Sequence, residues 1–327
     1  MDSVGSILGV PPSTPSTDST MRVGAAARSA VHELMLKTRI SLQDVNIIPD
    51  KSLDERVRRG IAGWGLEVKS PGKWEQQVIT AVQLGAMFCV HMNIDIQCHI
   101  ALYSFLCMRV DDLDIELQAL EEFSTRLCTS DTQLHPVLQL LAENLARMPG
   151  YYLPYACQCI VVSTIQFVSV TAFDRKTHSM ALHKEATLFP EYRRTRSGIG
   201  EAFAFFIWDS KRFPDITAFV QAVPDLIPVL GYINDIFSFY KEALADEDNY
   251  ISDLSTVTGK DLDSVLLDVV QDVATMLDRA RAILSGDTRD VLEQYFEGYM
   301  FFHFVTPRYD VKRFLDVENF IGRAARG

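Results

Sequence analysis

Asn234-Asp235-Ile236-Phe237-Ser238-Phe239-Tyr240-Lys241-Glu242 sets three oxygen-bearing side chains, Asn234, Ser238 and Glu242, at i, i+4 and i+8. At 3.6 residues per turn this spacing puts all three on one face of an α-helix. The turns just upstream carry Leu226, Ile227, Val229, Leu230 and Tyr232, so the polar triplet continues a core helix instead of a solvated one. Between the first and last Cα lie roughly 12 Å at 1.5 Å per residue. Convergence on one ion therefore needs side chains of different reach. Glu242 is long and leans back toward the helix start, Ser238 is short, and Asn234 turns its carbonyl oxygen toward them. Such hard oxygen donors suit Mg²⁺ and leave octahedral positions for water and phosphate oxygens.

Working outward, apolar residues return every three or four positions almost throughout, with few alternating β-branched runs. The expectation is an all-α chain with helices over 25–38, 74–92, 97–110, 133–147, 154–172, 191–208, 226–245, 262–284 and 289–304. Breaks fall at Pro71-Gly72, Pro149-Gly150, Phe213-Pro214 and Gly286-Asp287. No internal repeat or second composition regime appears, so residues 21–327 read as one domain. Residues 1–20, rich in Pro, Ser and Thr and without a basic or long apolar stretch, read as a disordered tail and not a secretion signal.

Three further clusters could carry chemistry. Asp111-Asp112-Leu113-Asp114-Ile115-Glu116 closes the apolar helix before it. Carboxylates there oppose the helix dipole at about 0.3–1 kcal/mol each, so the placement calls for compensating cations. Tyr192-Arg193-Arg194-Thr195-Arg196-Ser197-Gly198-Ile199-Gly200 is basic, and its glycines weaken the helix where carbonyl oxygens and a guanidinium fork could meet phosphate. Pro307-Arg308-Tyr309-Asp310 follows the aromatic residues Tyr299, Phe301, Phe302 and Phe304 near the C-terminus.

Composition narrows the partners. Lys and Arg number 31 against 43 Asp and Glu, a net charge of −12. That field disfavours nucleic acid and anionic membranes, and an anionic ligand would need local cations or metal ions. Six cysteines (Cys89, Cys98, Cys107, Cys128, Cys157, Cys159) are scattered through apolar stretches, which points to reduced thiols and a cytoplasmic setting. The most apolar windows, 81–110 and 153–173, are broken by polar residues such as His91, Asp95 and Gln158 and read as core helices without stable membrane insertion.

The stretch 234–242 resembles the second metal motif of class I terpene cyclases, and its Phe-Tyr-Lys-Glu ending with the following 245–252 is similar to the fungal trichodiene synthase type. The resemblance implies that Asp111, Asn234, Ser238 and Glu242 bind Mg²⁺, three ions in all. It implies that Arg194 is the diphosphate sensor, with Ser197 in the linker position and Gly198 at the helix break, and that Lys241 and the Arg308-Tyr309 pair contact diphosphate on closure. One position departs from the family: four residues after Asp111, where a carboxylate is expected, stands Ile115. Whether Asp112, Asp114 or Glu116 joins Asp111 stays open.

The fold implied is a single antiparallel helical bundle around a deep apolar cavity, lined by Phe88, Tyr103, Cys107, Phe205 and Tyr299. The activity implied is Mg²⁺-dependent ionisation and cyclisation of farnesyl diphosphate, an isoprenoid diphosphate, by a monomer or a homodimer. A prenyl chain-elongating synthase shares the fold but uses two aspartate-rich motifs, against the Asn/Ser/Glu helix. A non-catalytic helical scaffold is the rival of another class. Hydrolase and nucleotide readings lack their motifs, Gly198-Ile199-Gly200 being only a fragment of a dinucleotide fingerprint.

Overall fold

The polar triplet continues a helix whose other faces are packed on all sides. Leu226, Val229, Leu230, Ile233, Ile236 and Phe237 are all buried, and burial of a Leu, Ile or Phe side chain is worth about 1.5–3 kcal/mol. The computed structural model describes residues 17–112, 115–178, 180–245, 247 and 249–321. Among them run thirteen α-helices: α1 (Thr17–Thr38), α2 (Lys51–Gly63), α3 (Pro71–Phe88), α4 (Ile94–Asp112), α5 (Leu117–Thr129), α6 (Pro136–Leu145), α7 (Pro154–Thr177), α8 (Phe189–Ser197), α9 (Gly200–Phe205), α10 (Val223–Leu244), α11 (Tyr250–Thr258), α12 (Leu262–Ile283) and α13 (Asp287–Val305). No strand occurs among the described residues, only the single bridge Leu42–Ile321. The fold is all-α, as the period of the apolar residues demands.

α10 packs on α1, α9 and α12; α3 packs on α4 and α13; α7 packs on α5 and α9. Helices on all sides thus enclose a single large core, and α2 adds a satellite in which Leu53, Val57 and Ile61 meet Val78, Val82 and Phe105. α3 and α13 touch at Gly298, where a Cβ would stand 1.7 Å from the Met87 carbonyl oxygen. Only glycine permits that approach.

The structure corrects the sequence reading in several places. α1 begins at Thr17, inside the stretch read as a tail, and residues 1–16 lie outside the described residues. α2, α5 and α11 have no counterpart among the expected helices. Each is short and buries only two or three apolar side chains. α4 runs on to Asp112 and carries the first two aspartates. The helix expected over 191–208 is two helices. α8 stops at Ser197, Ile199 takes φ 52° and ψ 23°, and α9 starts at Gly200. The left-handed residue is thus a β-branched one rather than either glycine, which is strained backbone. Gly200 instead permits close packing, since a Cβ there would lie 2.6 Å from the Ile227 carbonyl oxygen of α10. Among the described residues one helix, α7, is long and apolar enough to cross a membrane, but half of its most apolar window is buried within the bundle.

Candidate active site

The acidic cluster divides into two differently used residues. Asp112 accepts from Gln77 Nε2 at 2.6 Å and pairs with Lys73 Nζ at 3.2 Å, while Arg109 Nη1 donates to Gln77 Oε1 at 2.8 Å and lies over the Trp74 ring. Lys73 and Arg109 are the cations that a carboxylate at a helix C-terminus needs. Among the described residues Asp111 has no such partner, and its open surface faces the mouth of the bundle. Burial within that concavity raises its carboxyl above the ordinary range, the Asp112 charge adds to this, and Arg308, Lys73 and Arg175 oppose it. Ile115 turns inward, 1% exposed, and its carbonyl accepts from Arg175 Nη1 at 2.6 Å. Glu116 is exposed at the start of α5. Asp114, Asp246 and Asp248 lie outside the described residues.

Across the mouth, α10 presents Asn234 and Glu242. Asn234 Nδ2 donates to the Tyr309 hydroxyl at 2.8 Å, leaving its carbonyl oxygen as a donor for a cation. Burial raises the Glu242 carboxyl, and hydrogen bonding to the Ser238 hydroxyl and the charge of Lys241 pull it back. Ser238 is 2% exposed and lies behind the wall, connected to the mouth through Glu242. Lys241 borders Glu242 but does not line the mouth. Asp111, Asn234 and Glu242 are oxygen donors on facing walls, a set that fits Mg²⁺. No three His, Cys, Asp or Glu side chains converge as a metal cluster among the described residues. Asn234 therefore matters as an oxygen-bearing side chain beside the two carboxylates.

Arg194 is held by a residue the sequence reading leaves out. Its Nε donates to Asp235 at 2.7 Å and its Nη2 to the Gly231 carbonyl at 2.8 Å. Burial pushes the Asp235 carboxyl up, and the adjoining guanidinium pulls it back. Gly198 leaves room for that guanidinium, since a Cβ would stand 2.3 Å from Arg194 Nη1. Ser197 lines the mouth beside Arg194. Arg308 and Tyr309 occupy a short 3₁₀ turn after α13. Arg308 faces Asp111 across the mouth, and burial pushes the Tyr309 hydroxyl up to about 12.

The polar mouth, about 370 Å³, and a deeper cavity of about 240 Å³ share Asp111, Arg194, Ser197, Asn234 and Arg308. The deeper space is mainly apolar. Phe88, Cys107 and Tyr299 line it, as do Leu84, Phe167 and Phe302. Two expected lining residues do not. Tyr103 is fully buried behind the wall with its hydroxyl 2.8 Å from Thr164 Oγ1, and Phe205 packs edge-on against Tyr155. Phe203, two residues earlier on α9, takes the place foreseen for Phe205. The break at Ile199 shifts the helical phase, which periodicity across 191–208 cannot register. His303 also lines the cavity. Its Nδ1 is 2.7 Å from the Tyr299 carbonyl, and burial lowers its pKa to about 3, so it is a neutral ring in the wall.

A family model described as trichodiene synthase (TRI5) matches residues 66–321. The chain is 31% identical over 290 residues to monoterpene synthase 25 of Postia placenta, covering 87% of this chain and 86% of that protein. It is 30% identical over 318 residues to terpene synthase 29 of the same species, covering 95% and 92%. It is 37% identical over 221 residues to terpene synthase BipA of Cochliobolus sativus, covering 65% and 68%. Linalool/nerolidol synthase from Streptomyces clavuligerus has a similar structure, with a TM-score of 0.62 over 81% of this chain and 99% of that one. At 15% identity this likeness concerns the fold. Class I terpene synthases generally use Mg²⁺, in keeping with the oxygen donors at the mouth. With the family model spanning most of the sequence and the helical bundle around its cavity, the chain belongs to the trichodiene synthase family and is a class I terpene cyclase.

Proposed function

We propose that this cyclase acts on farnesyl diphosphate and converts it to a cyclic sesquiterpene hydrocarbon or alcohol in the cytoplasm, with three Mg²⁺ ions. The observation that carries the reading is the union of two spaces. An apolar cavity of about 240 Å³ opens into a mouth with oxygen donors on facing walls and arginines between them. Asp111 on one side and Asn234 and Glu242 on the other would hold the ions, with Ser238 behind Glu242 as the third residue of that helix face. Bound Mg²⁺ supplies charge neutralisation of the diphosphate leaving group. Arg194, Arg308 and the Tyr309 hydroxyl bind and orient that group, with Lys241 adding positive charge beside Glu242, so the allylic C–O bond breaks with its electron pair leaving on diphosphate. Closure around the diphosphate excludes water. Phe88, Phe203, Tyr299 and Phe302 then surround the carbocation, each aromatic contact contributing about 0.5–2 kcal/mol.

The test is incubation of the purified chain with Mg²⁺ and geranyl, farnesyl or geranylgeranyl diphosphate, with and without labelled isopentenyl diphosphate. Gas chromatography with mass spectrometry should show a fifteen-carbon product from farnesyl diphosphate alone. Preference for another chain length would overturn the sesquiterpene reading, and incorporation of the label would favour chain elongation.

A further inference from the structure

α8 carries Arg194, yet one of its strongest ties to its neighbours is made by Glu191, one turn earlier. Glu191 Oε2 accepts from the Tyr232 hydroxyl at 2.6 Å and from the Tyr250 hydroxyl at 2.8 Å. The two phenol oxygens are 2.9 Å apart and the rings stack at 5.1 Å with 16° between planes. Glu191 Oε1 accepts from Thr195 Oγ1 at 2.9 Å. Both tyrosines are buried. Two phenolic protons thus serve three mutually contacting oxygens, and a carboxylate supplies acceptors only. The node is complete only while all three side chains converge.

The placement of the three residues gives the node its meaning. Tyr232 is two residues before Asn234 on α10, Glu191 is three before Arg194 on α8, and Tyr250 opens α11 directly after its N-cap Asn249. Asn249, Tyr250 and Asp253 form part of the mouth wall. A second tie runs the same way: Arg193 Nε meets Asp174 at 2.8 Å, and its Nη1 meets Asp253 at 3.6 Å. One carboxylate therefore joins the helix bearing a diphosphate-binding arginine, the helix bearing metal donors, and the helix that walls the mouth. Neither Glu191, Tyr232 nor Tyr250 lines the apolar cavity, so contact with the substrate chain does not explain the arrangement.

We infer that Glu191 is a positioning residue of the cyclisation, coupling α8 to α10 and α11 so that diphosphate bound at Arg194 orders α11 over the mouth. The inference rests on the reading of the mouth as the diphosphate site. It is tested by hydrogen exchange of the full chain with Mg²⁺ and inorganic diphosphate, comparing the native chain with Glu191→Gln, Glu191→Ala and Tyr250→Phe. In the native chain exchange in α8 and α11 should slow together by about tenfold. In Glu191→Ala, α8 should still respond while α11 slows by less than about twofold, with Glu191→Gln between the two. Turnover of Glu191→Ala should show kcat down about tenfold, KM changed less than about threefold, and more water-quenched alcohol. A purely packing role would lower the melting midpoint without uncoupling α11 from diphosphate. Should Glu191→Ala lose its helical signal, Tyr250→Phe removes one hydroxyl of the node and carries the same comparison. Protection of α11 in the variants equal to that of the native chain overturns the coupling, as does protection of α8 without α11 in the native chain. Absence of any response in the native chain overturns the reading of the mouth and the coupling with it.

Discussion

Asp111 and Asp112 are adjacent, chemically identical and differently committed, so exchanging each for asparagine separates metal binding from scaffolding. Asp112 is held by Gln77 at 2.6 Å and Lys73 at 3.2 Å, and the side chains of the ion pair are 50% (Lys73) and 25% (Asp112) exposed. After discounting for solvent, Asp112→Asn should cost about 1–2 kcal/mol of stability, a fall of a few degrees in melting midpoint. Asp111 faces the mouth opposite Asn234 and Glu242 without a direct partner among the described residues, so under the proposed function Asp111→Asn removes a metal ligand and spares the fold. A loss of about 3–5 kcal/mol of transition-state stabilisation corresponds to about a 10²–10⁴-fold fall in kcat. Initial rates across a Mg²⁺ titration, read beside thermal melts by circular dichroism, measure both quantities. The reasoning fails if Asp112→Asn loses as much turnover at saturating Mg²⁺ as Asp111→Asn with its melting midpoint unmoved. It also fails if Asp111→Asn stays within about threefold of the native rate.

Asp235→Asn should destabilise the chain by about 3–5 kcal/mol, because the buried Arg194 charge loses its partner, and denaturant titration should show this together with reduced turnover. Gly298→Ala should force α3 and α13 apart at a cost of about 3 kcal/mol or more, and a urea midpoint equal to the native one would contradict the 1.7 Å clash with Met87. Phe203→Ala should change product ratios, whereas Phe205→Ala should cost about 3–5 kcal/mol of stability and leave those ratios alone, which gas chromatography and thermal melts would distinguish. Burial holds His91 and His99 at about 4 and His303 at about 3, against about 6.5 for histidine in an unfolded chain. Below about 6.5 the unfolded chain binds more protons, so stability is full above that pH and falls as pH drops toward 4 and, for His303, 3. Melting curves from pH 7 to 4 should show the decline, and His91→Asn with His99→Asn should lessen it.

Much of the candidate site was legible because its oxygen-bearing side chains follow helical spacing. Asn234, Ser238 and Glu242 fall on one face by local geometry alone, and Asp111 closes an apolar helix whose period is plain. The commitments of their neighbours were not legible. Nothing local distinguishes Asp111 from Asp112, since the difference is made by Lys73 and Gln77 on α3. Asp235 reads as a spacer between motif positions and becomes the anchor of Arg194 only when α8 crosses α10.

The all-α class and the shared helix face of Asn234, Ser238 and Glu242 follow from the sequence because periodicity and backbone propensity act within a few turns of chain. Tertiary contact decided the rest: that the break foreseen at Gly198 would put Ile199 in the left-handed region and bring Phe203 rather than Phe205 to the cavity, that Ile115 would enter the core, and that Glu191 would meet two tyrosines from other helices. Those outcomes depend on which helices touch and at what rotation, and side chains distant in sequence settle that jointly through close packing.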